Sequence, residues 1–254
     1  MSLFIERLGQ GPDIVLVHGW GLHGGVWGAL PAHLAERFRV TVVDLPGHGR
    51  SRRSAPLRLE TVASAVAEML PGPAIWLGWS LGALVALSAA LAHRDKVLKL
   101  VLTGATPRFA RAPDWPQAMS AEILEQFAAD LRTDYQTTLQ RFLSLQVGGA
   151  DGAHASLRAL RAELLRHGAP DPEALHEGLM ILLETDLRAR LSEIRAPTRV
   201  IHGGRDRLSF PGAARELAAR LPQGRLDMIA AAGHAPFLSH AREFNACLDD
   251  FLHD

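Results

Sequence analysis

Gly78-Trp79-Ser80-Leu81-Gly82 stands between a short apolar run, Ala74 to Leu77, and a segment, Ala83 to Ala92, that reads as a helix. A serine there sits where a buried strand turns sharply into a helix, the context a nucleophile elbow requires. The glycines two residues either side of Ser80 carry no Cβ where the chain doubles back, so the serine can be held in a strained conformation with its hydroxyl presented. The helix that follows offers free N–H groups and a positive dipole end to a developing oxyanion.

Working outward, Ile14 to Val17 is a β-branched apolar run ending in His18-Gly19, as in a strand buried on both faces of a parallel sheet. A helix from about Trp27 to Arg37 and a second strand, Arg39 to Val43, complete a βαβ unit. Leu45 to Ser51 is a Gly- and Pro-rich shaped loop, Leu59 to Leu70 is amphipathic, and Val97 to Leu102 is a further strand. Strand-like runs then stop. Helices are expected over Ala121 to Leu131, Tyr135 to Leu145, His154 to His167 and Pro172 to Leu183, the last with Asp171 as N-cap. Strands return at Thr198 to His202 and Arg225 to Ile229, with helices over Gly212 to Leu221 and Glu243 to Leu252. The expected fold is α/β, a mostly parallel central sheet flanked by helices. Residues 1–106 and 187–254 form its core, and 107–186 form an inserted helical cap.

A serine hydroxyl needs a base, and the base needs a third group to fix its tautomer. Asp206, just past the strand ending at His202, and His234, just past the strand ending at Ile229, supply both in the order Ser, Asp, His. Three such residues at three strand ends fit the rule that ligands of open parallel sheets collect at the carboxyl ends. Two N–H groups are expected to form the oxyanion hole, those of Leu81 and of Trp20 in the loop His18-Gly19-Trp20-Gly21, with the Trp20 indole walling an acyl pocket. Competing readings stand beside these. Asp186 and Asp227 compete with Asp206 as the acid, and Asp206 also reads as a cap or as a partner of Arg205 or Arg207; His18, His202 and His240 compete with His234, although His18 reads as a structural histidine. Trp79 and Phe142 are equally readable as core aromatics. Gly19-Trp20-Gly21-Leu22-His23-Gly24 followed by Asp44 has dinucleotide-binding spacing, but a tryptophan in the tight turn blocks close approach by a pyrophosphate.

Composition narrows the classes. Lys plus Arg equals Asp plus Glu at 27 each in 254 residues, so no global field favours nucleic acid or an anionic membrane. The single Cys247 makes no internal disulfide, and no Cys/His cluster has zinc-site spacing; a serine, a histidine and an aspartate need no metal or organic cofactor, so none is expected. Most of the twelve histidines read as surface residues. Met1 to Gln10 lacks the layout of a signal peptide and no apolar run is long enough to span a bilayer, which makes the cytoplasm the expected location. A monomer is expected as well.

With these residues in place, the chain resembles the α/β-hydrolase superfamily: His18-Gly19-Trp20, Asp44 to Ser51, the elbow, Gly203 to Asp206 and Gly233-His234. Within it, the chain is similar to the pimeloyl-acyl-carrier-protein methyl ester esterases of biotin synthesis. The words that carry this are His18 to Leu22, Ala74 to Gly82, Arg141-Phe142-Leu143 with Leu145-Gln146, and Ala232 to Ser239; Ala83 departs from a third glycine usual there. The resemblance implies a serine carboxylesterase that frees the distal carboxylate of an acyl chain still attached to an acyl carrier protein. It implies substrate contacts at Trp20, Ser80, Leu81, Phe142, Leu143, Leu145, Gln146 and His234. Acyl carrier proteins are acidic, and Tyr135 to Gly168 carries Arg141, Arg158, Arg161 and Arg166 against Asp151 and Glu163, so Arg141, Arg158 and Arg161 are candidate docking residues, a solvated helix face being the alternative. Other substrates of the same triad, a general short-chain ester or a carbon–carbon bond, stay open, as does a slow-turnover sensor.

Overall fold

The computed structural model describes residues 3–147, 153–164 and 166–253; Asp151 and Leu165 lie outside these. Seven strands form one sheet in the order β1-β3-β2-β4-β5-β6-β7. They are β1 Ile5–Leu8, β2 Asp13–Val17, β3 Arg39–Val43, β4 Ala74–Trp79, β5 Val97–Thr103, β6 Thr198–Gly203 and β7 Gly224–Ile229. All neighbours pair in parallel except β1, which runs antiparallel to β3 at the edge. β2 and β4 are buried throughout, which is why they read as unbroken apolar runs rather than alternating ones.

Ten helices surround the sheet among the described residues: α1 Leu30–Ala35, α2 Leu59–Met69, α3 Leu81–Ala92, α4 Ala121–Thr133, α5 Tyr135–Val147, α6 Ala153–Leu164, α7 Pro172–Glu184, α8 Pro211–Arg220, α9 Pro236–Ser239 and α10 Ala241–His253. α3 is buried on all sides from Leu81 to Leu91, packed on β4 and β5 with α2 outside it. Its lack of amphipathicity follows, since no face of it meets water. α4 to α7 all lie between β5 and β6 in sequence. They pack on one another, with α7 touching α3 and α6 touching α9. Asp171 caps α7 by accepting from the N–H groups of Glu173 and Ala174.

Three expectations are corrected. The helix expected from Trp27 is a 3-10 turn, Gly24–Trp27, followed by the shorter α1, because Gly28 adopts φ 56° between them. α6 ends at Leu164, and Arg166 bridges to Gly168, so the helix does not reach His167. The histidines are not mostly at the surface: His18, His23, His48, His202 and His234 are buried, and only His154 and His253 are exposed. Four of the buried five stand in the loops that follow the carboxyl ends of strands.

Candidate active site

Ser80 is the only non-glycine residue with positive φ among those described, at φ 56° and ψ −115°. Such a conformation costs on the order of 1–3 kcal/mol and persists only where the surroundings impose it. They do so here. A Cβ on Gly78 would come within 2.4 Å of the Gly82 carbonyl oxygen, and one on Gly82 within 2.0 Å of that of Val17, so both sites admit only glycine. The Ser80 N–H donates to the Thr103 carbonyl at 3.0 Å, tying the turn to the end of β5.

His234 meets the same strand end from the other side: a Cβ on Gly104 would lie 2.9 Å from its Cε1. The Trp79 Nε1–H donates to the His234 carbonyl at 2.9 Å, and the two rings lie 5.8 Å apart. The His234 N–H in turn donates to the Gln146 carbonyl on α5, at 3.0 Å. Its Nδ1–H donates to Asp206 Oδ2 at 2.7 Å, which in the neutral imidazole selects the tautomer whose Nε2 can take a proton. That Nε2 is buried with no hydrogen-bond partner among the described residues, Ser80 included. Nucleophile–base contacts of this kind commonly tighten only when substrate arrives.

Asp206 is 3% exposed and its carboxylate is fully engaged. Oδ1 accepts from the N–H groups of Leu208 and Ser209 at 2.8 and 3.1 Å; Oδ2 accepts from Ser209 Oγ at 2.7 Å as well as from His234. Burial alone would raise this carboxyl, but the neighbouring His234 and the donated hydrogen bonds hold it below its ordinary value, so it is an anion. The rival acids are occupied elsewhere. Asp186 pairs with Arg108 and Arg188, and Asp227 faces Arg199. His18 is a structural histidine, donating from Nδ1 to the Gly19 carbonyl and accepting the Leu45 N–H at Nε2, 2.8 Å away. Asp44 is likewise committed, to the N–H groups of Gly24 and Arg50 and to the Arg50 guanidinium, which leaves no carboxylate for a nucleotide ribose. No group of three His, Cys, Asp or Glu among the described residues could hold a metal ion.

The N–H groups of Trp20 and Leu81 have no acceptor among the described residues, and both residues are buried. The Trp20 indole N–H donates to the Leu175 carbonyl of α7 at 2.8 Å, and the Phe142 ring stands edge-on to it at 4.7 Å. Phe142, Leu143 and Gln146 lie on the buried arc of α5, and Gln146 Oε1 is buried without a partner among the described residues. Leu145 departs from expectation: it is 37% exposed, because its position on α5 falls at the margin of the arc made by Leu139, Phe142, Leu143 and Gln146. Arg141 bonds Asp130 on α4 at 2.9 Å, whereas Arg158 and Arg161 are exposed on α6. A surface cavity of about 640 Å³ lies away from this chemistry, between Leu57–Glu60 and the end of α7. Ser209 and the Gln146 carbonyl have no sequence signal that marks them; their roles arise from loops meeting in space.

The family description that matches residues 12–241 is alpha/beta hydrolase fold. The chain is 49% identical over 251 residues to the pimeloyl-[acyl-carrier protein] methyl ester esterase of Stenotrophomonas maltophilia, covering 98% of this chain and 96% of that one. It is 45% identical to the protein of the same name in Chromobacterium violaceum, covering 99% and 98%. Among solved structures, an esterase from Exiguobacterium antarcticum superposes with a TM-score of 0.89 at 23% identity, covering 99% of this chain and 96% of that one. The enol-lactonase from Burkholderia xenovorans does so at 0.88 and 24%, with coverage of 99% and 96%. At that identity the structures speak for the fold.

Proposed function

Since the chain belongs to the alpha/beta hydrolase fold family, and within it to the pimeloyl-[acyl-carrier protein] methyl ester esterases, we propose that it hydrolyses the methyl ester at the distal end of a pimeloyl chain carried by an acyl carrier protein. The observation that carries the chemistry is the Asp206–His234 hydrogen bond, which orients a buried Nε2, without a partner among the described residues, at the strand end where Ser80 is held in its strained turn.

In this reading His234 takes the Ser80 proton as Oγ attacks the ester carbonyl, and the N–H groups of Trp20 and Leu81 stabilise the oxyanion. His234 then gives the proton to the departing methoxide, releasing methanol. A water deprotonated by the same histidine attacks the acyl-enzyme, and the acid leaves as Ser80 recovers its proton. Asp206 keeps the imidazole in the productive tautomer and stabilises the imidazolium.

Residues 107–186 act as a cap over this site. What supports that is the burial of Ser80 and His234, at 3% and 1% exposure, beneath contacts from α5 and α7. Substrate reaches them only if these helices shift. Phe142 and Leu143 roof the acyl slot beside Trp20, and Gln146 offers its unpaired Oε1 to the substrate. Arg158 and Arg161 would meet the acidic carrier, with Arg141 a weaker candidate because Asp130 already holds it. The test is hydrolysis of the carrier-linked pimeloyl methyl ester beside a short p-nitrophenyl ester, for wild type and Ser80→Ala. A higher kcat/KM on the carrier-linked ester, with both activities lost in the variant, supports the assignment; cleavage of the short ester alone would keep the triad and reject the substrate.

A further inference from the structure

Ser209 is buried completely, and every polar atom it has is engaged around Asp206. Its N–H donates to Oδ1 at 3.1 Å, its Oγ–H to Oδ2 at 2.7 Å, and its carbonyl accepts the Nε2–H of His202 at 2.7 Å. The same Oγ stands 3.3 Å from His234 Nδ1. A single serine therefore touches the acid through both oxygens, the base through its ring nitrogen, and a second buried histidine behind them.

We infer that Ser209 is a positioning residue, which locks the Asp206 carboxylate in the plane that His234 needs and moderates how strongly Asp206 holds the imidazolium. The inference rests on the roles assigned above to Asp206 and His234. Without the hydroxyl, Oδ2 would be held only by the imidazole it has to orient; with Leu208 and Ser209 donating to Oδ1 and the hydroxyl donating to Oδ2, the carboxylate is fixed independently of His234. The hydroxyl proton also draws negative charge from the oxygen that faces His234, so the imidazolium gains less from Asp206 than it would from a carboxylate without that donor. His202 lies 3.4 Å from Asp206 Oδ2 and would compete for it, but the Ser209 carbonyl takes its Nε2–H instead.

Among the described residues, the titratable groups that meet His234 or its partners are Asp206, the buried His202 and, acting on His202, Arg215 of α8. Uncharged contacts come from Ser209, from Trp79 and the Gly104 backbone at the ends of β4 and β5, and from the Gln146 carbonyl of α5.

Ser209→Val and Ser209→Thr test the idea, since they are close in volume and differ by the hydroxyl, with Ser209→Ala as a version that cannot overpack. The measurement is kcat and KM for a short p-nitrophenyl ester across about pH 5 to 9, beside wild type and Ser80→Ala. Val and Ala should lower kcat about tenfold with KM within about twofold, and should move the acid limb upward by about half a pH unit. Thr should recover the acid limb and most of the lost kcat. An unmoved limb with wild-type kcat in both Val and Ala overturns the inference, and so does an equal loss in Thr and Val with no shift, which is the signature of packing alone. Turnover by Ser80→Ala would overturn the underlying mechanism instead, so the two failures are distinguishable.

Discussion

The backbone N–H of His234 is bonded to the carbonyl of Gln146, 3.0 Å away on α5, so the proposed base is tied directly to the helical segment above it. The oxyanion loop is tied to the same segment through Trp20 Nε1 and the Leu175 carbonyl. Both proposed halves of the machinery are therefore tied to these helices, and under the proposed cap movement the shift that admits substrate also loosens the groups that act on it. Trp20→Phe removes the second tie but leaves the Trp20 backbone N–H position intact. It should lower stability by about 1 kcal/mol, the net worth of one buried hydrogen bond, and raise KM more than it lowers kcat. Urea unfolding and steady-state kinetics on a short ester check both parts.

Ser80 separates catalytic need from conformational comfort. Ser80→Ala and Ser80→Gly should both be inactive. They should differ in stability, because alanine keeps the strained φ of 56° and glycine does not. Glycine should be the more stable of the two by about 1 kcal/mol, read as a higher urea midpoint at equal slope.

Buried histidines set the acid sensitivity of the fold. Burial pushes His18 down to about 3, and lowers His48 and His202 as well, so all three fold as neutral rings. In the unfolded chain each titrates near pH 6.5. Their contribution to stability is complete above that value and is lost as the pH falls, because the unfolded chain takes up protons that the folded one refuses. Each should cost up to about 1.4 kcal/mol per pH unit below about 6.5. Urea midpoints between about pH 7.5 and 5 should fall steeply, and His18→Gln should flatten the slope.

How much of this could be read in advance follows from burial. β2 to β5 are largely apolar because helices pack over the sheet and bury them, and such runs announce themselves. β1, Ile5–Leu8, does not: as an edge strand it exposes Glu6, Arg7 and Leu8, leaving no apolar stretch to recognise. Ser80, Asp206 and His234 were legible as candidates because each follows a strand in an order with chemical meaning. Ser209, three residues past Asp206, carries no such mark, and neither does the Gln146 carbonyl, since a backbone acceptor has no residue type. The histidines differ from expectation for a related reason: a polar side chain in a glycine-rich loop reads as exposed until neighbouring segments pack over it.

Arg158 and Arg161 offer a clean test of carrier docking because both are exposed on α6. Reversing Arg141 would also break its bond to Asp130 and so disturb the contact between α4 and α5. Arg158→Glu with Arg161→Glu should raise KM for the carrier-linked ester on the order of tenfold, and more at low salt, where charge attraction is least screened. Hydrolysis of a p-nitrophenyl ester should be unchanged. An equal effect on both substrates would remove the docking role.

Gly178 marks where α7 comes closest to the oxyanion loop. A Cβ there would lie 2.8 Å from Trp20 Cδ1, 3.2 Å from its Nε1 and 3.6 Å from Leu81 Cδ2, between the side chains of the two proposed oxyanion donors. The indole is fixed at one edge by Leu175 and faced by Phe142, so it has little room to yield. Gly178→Ala improves the helix propensity of α7 by about 1 kcal/mol, yet the collision pushes the indole, and with it the loop whose N–H must meet the oxyanion. The expected result is a protein near wild-type stability with kcat reduced on the order of tenfold or more. Adding Trp20→Phe to Gly178→Ala should return part of that loss, because the smaller ring takes up the methyl group. If the single variant loses stability and retains kcat, α7 supports the loop without setting its position.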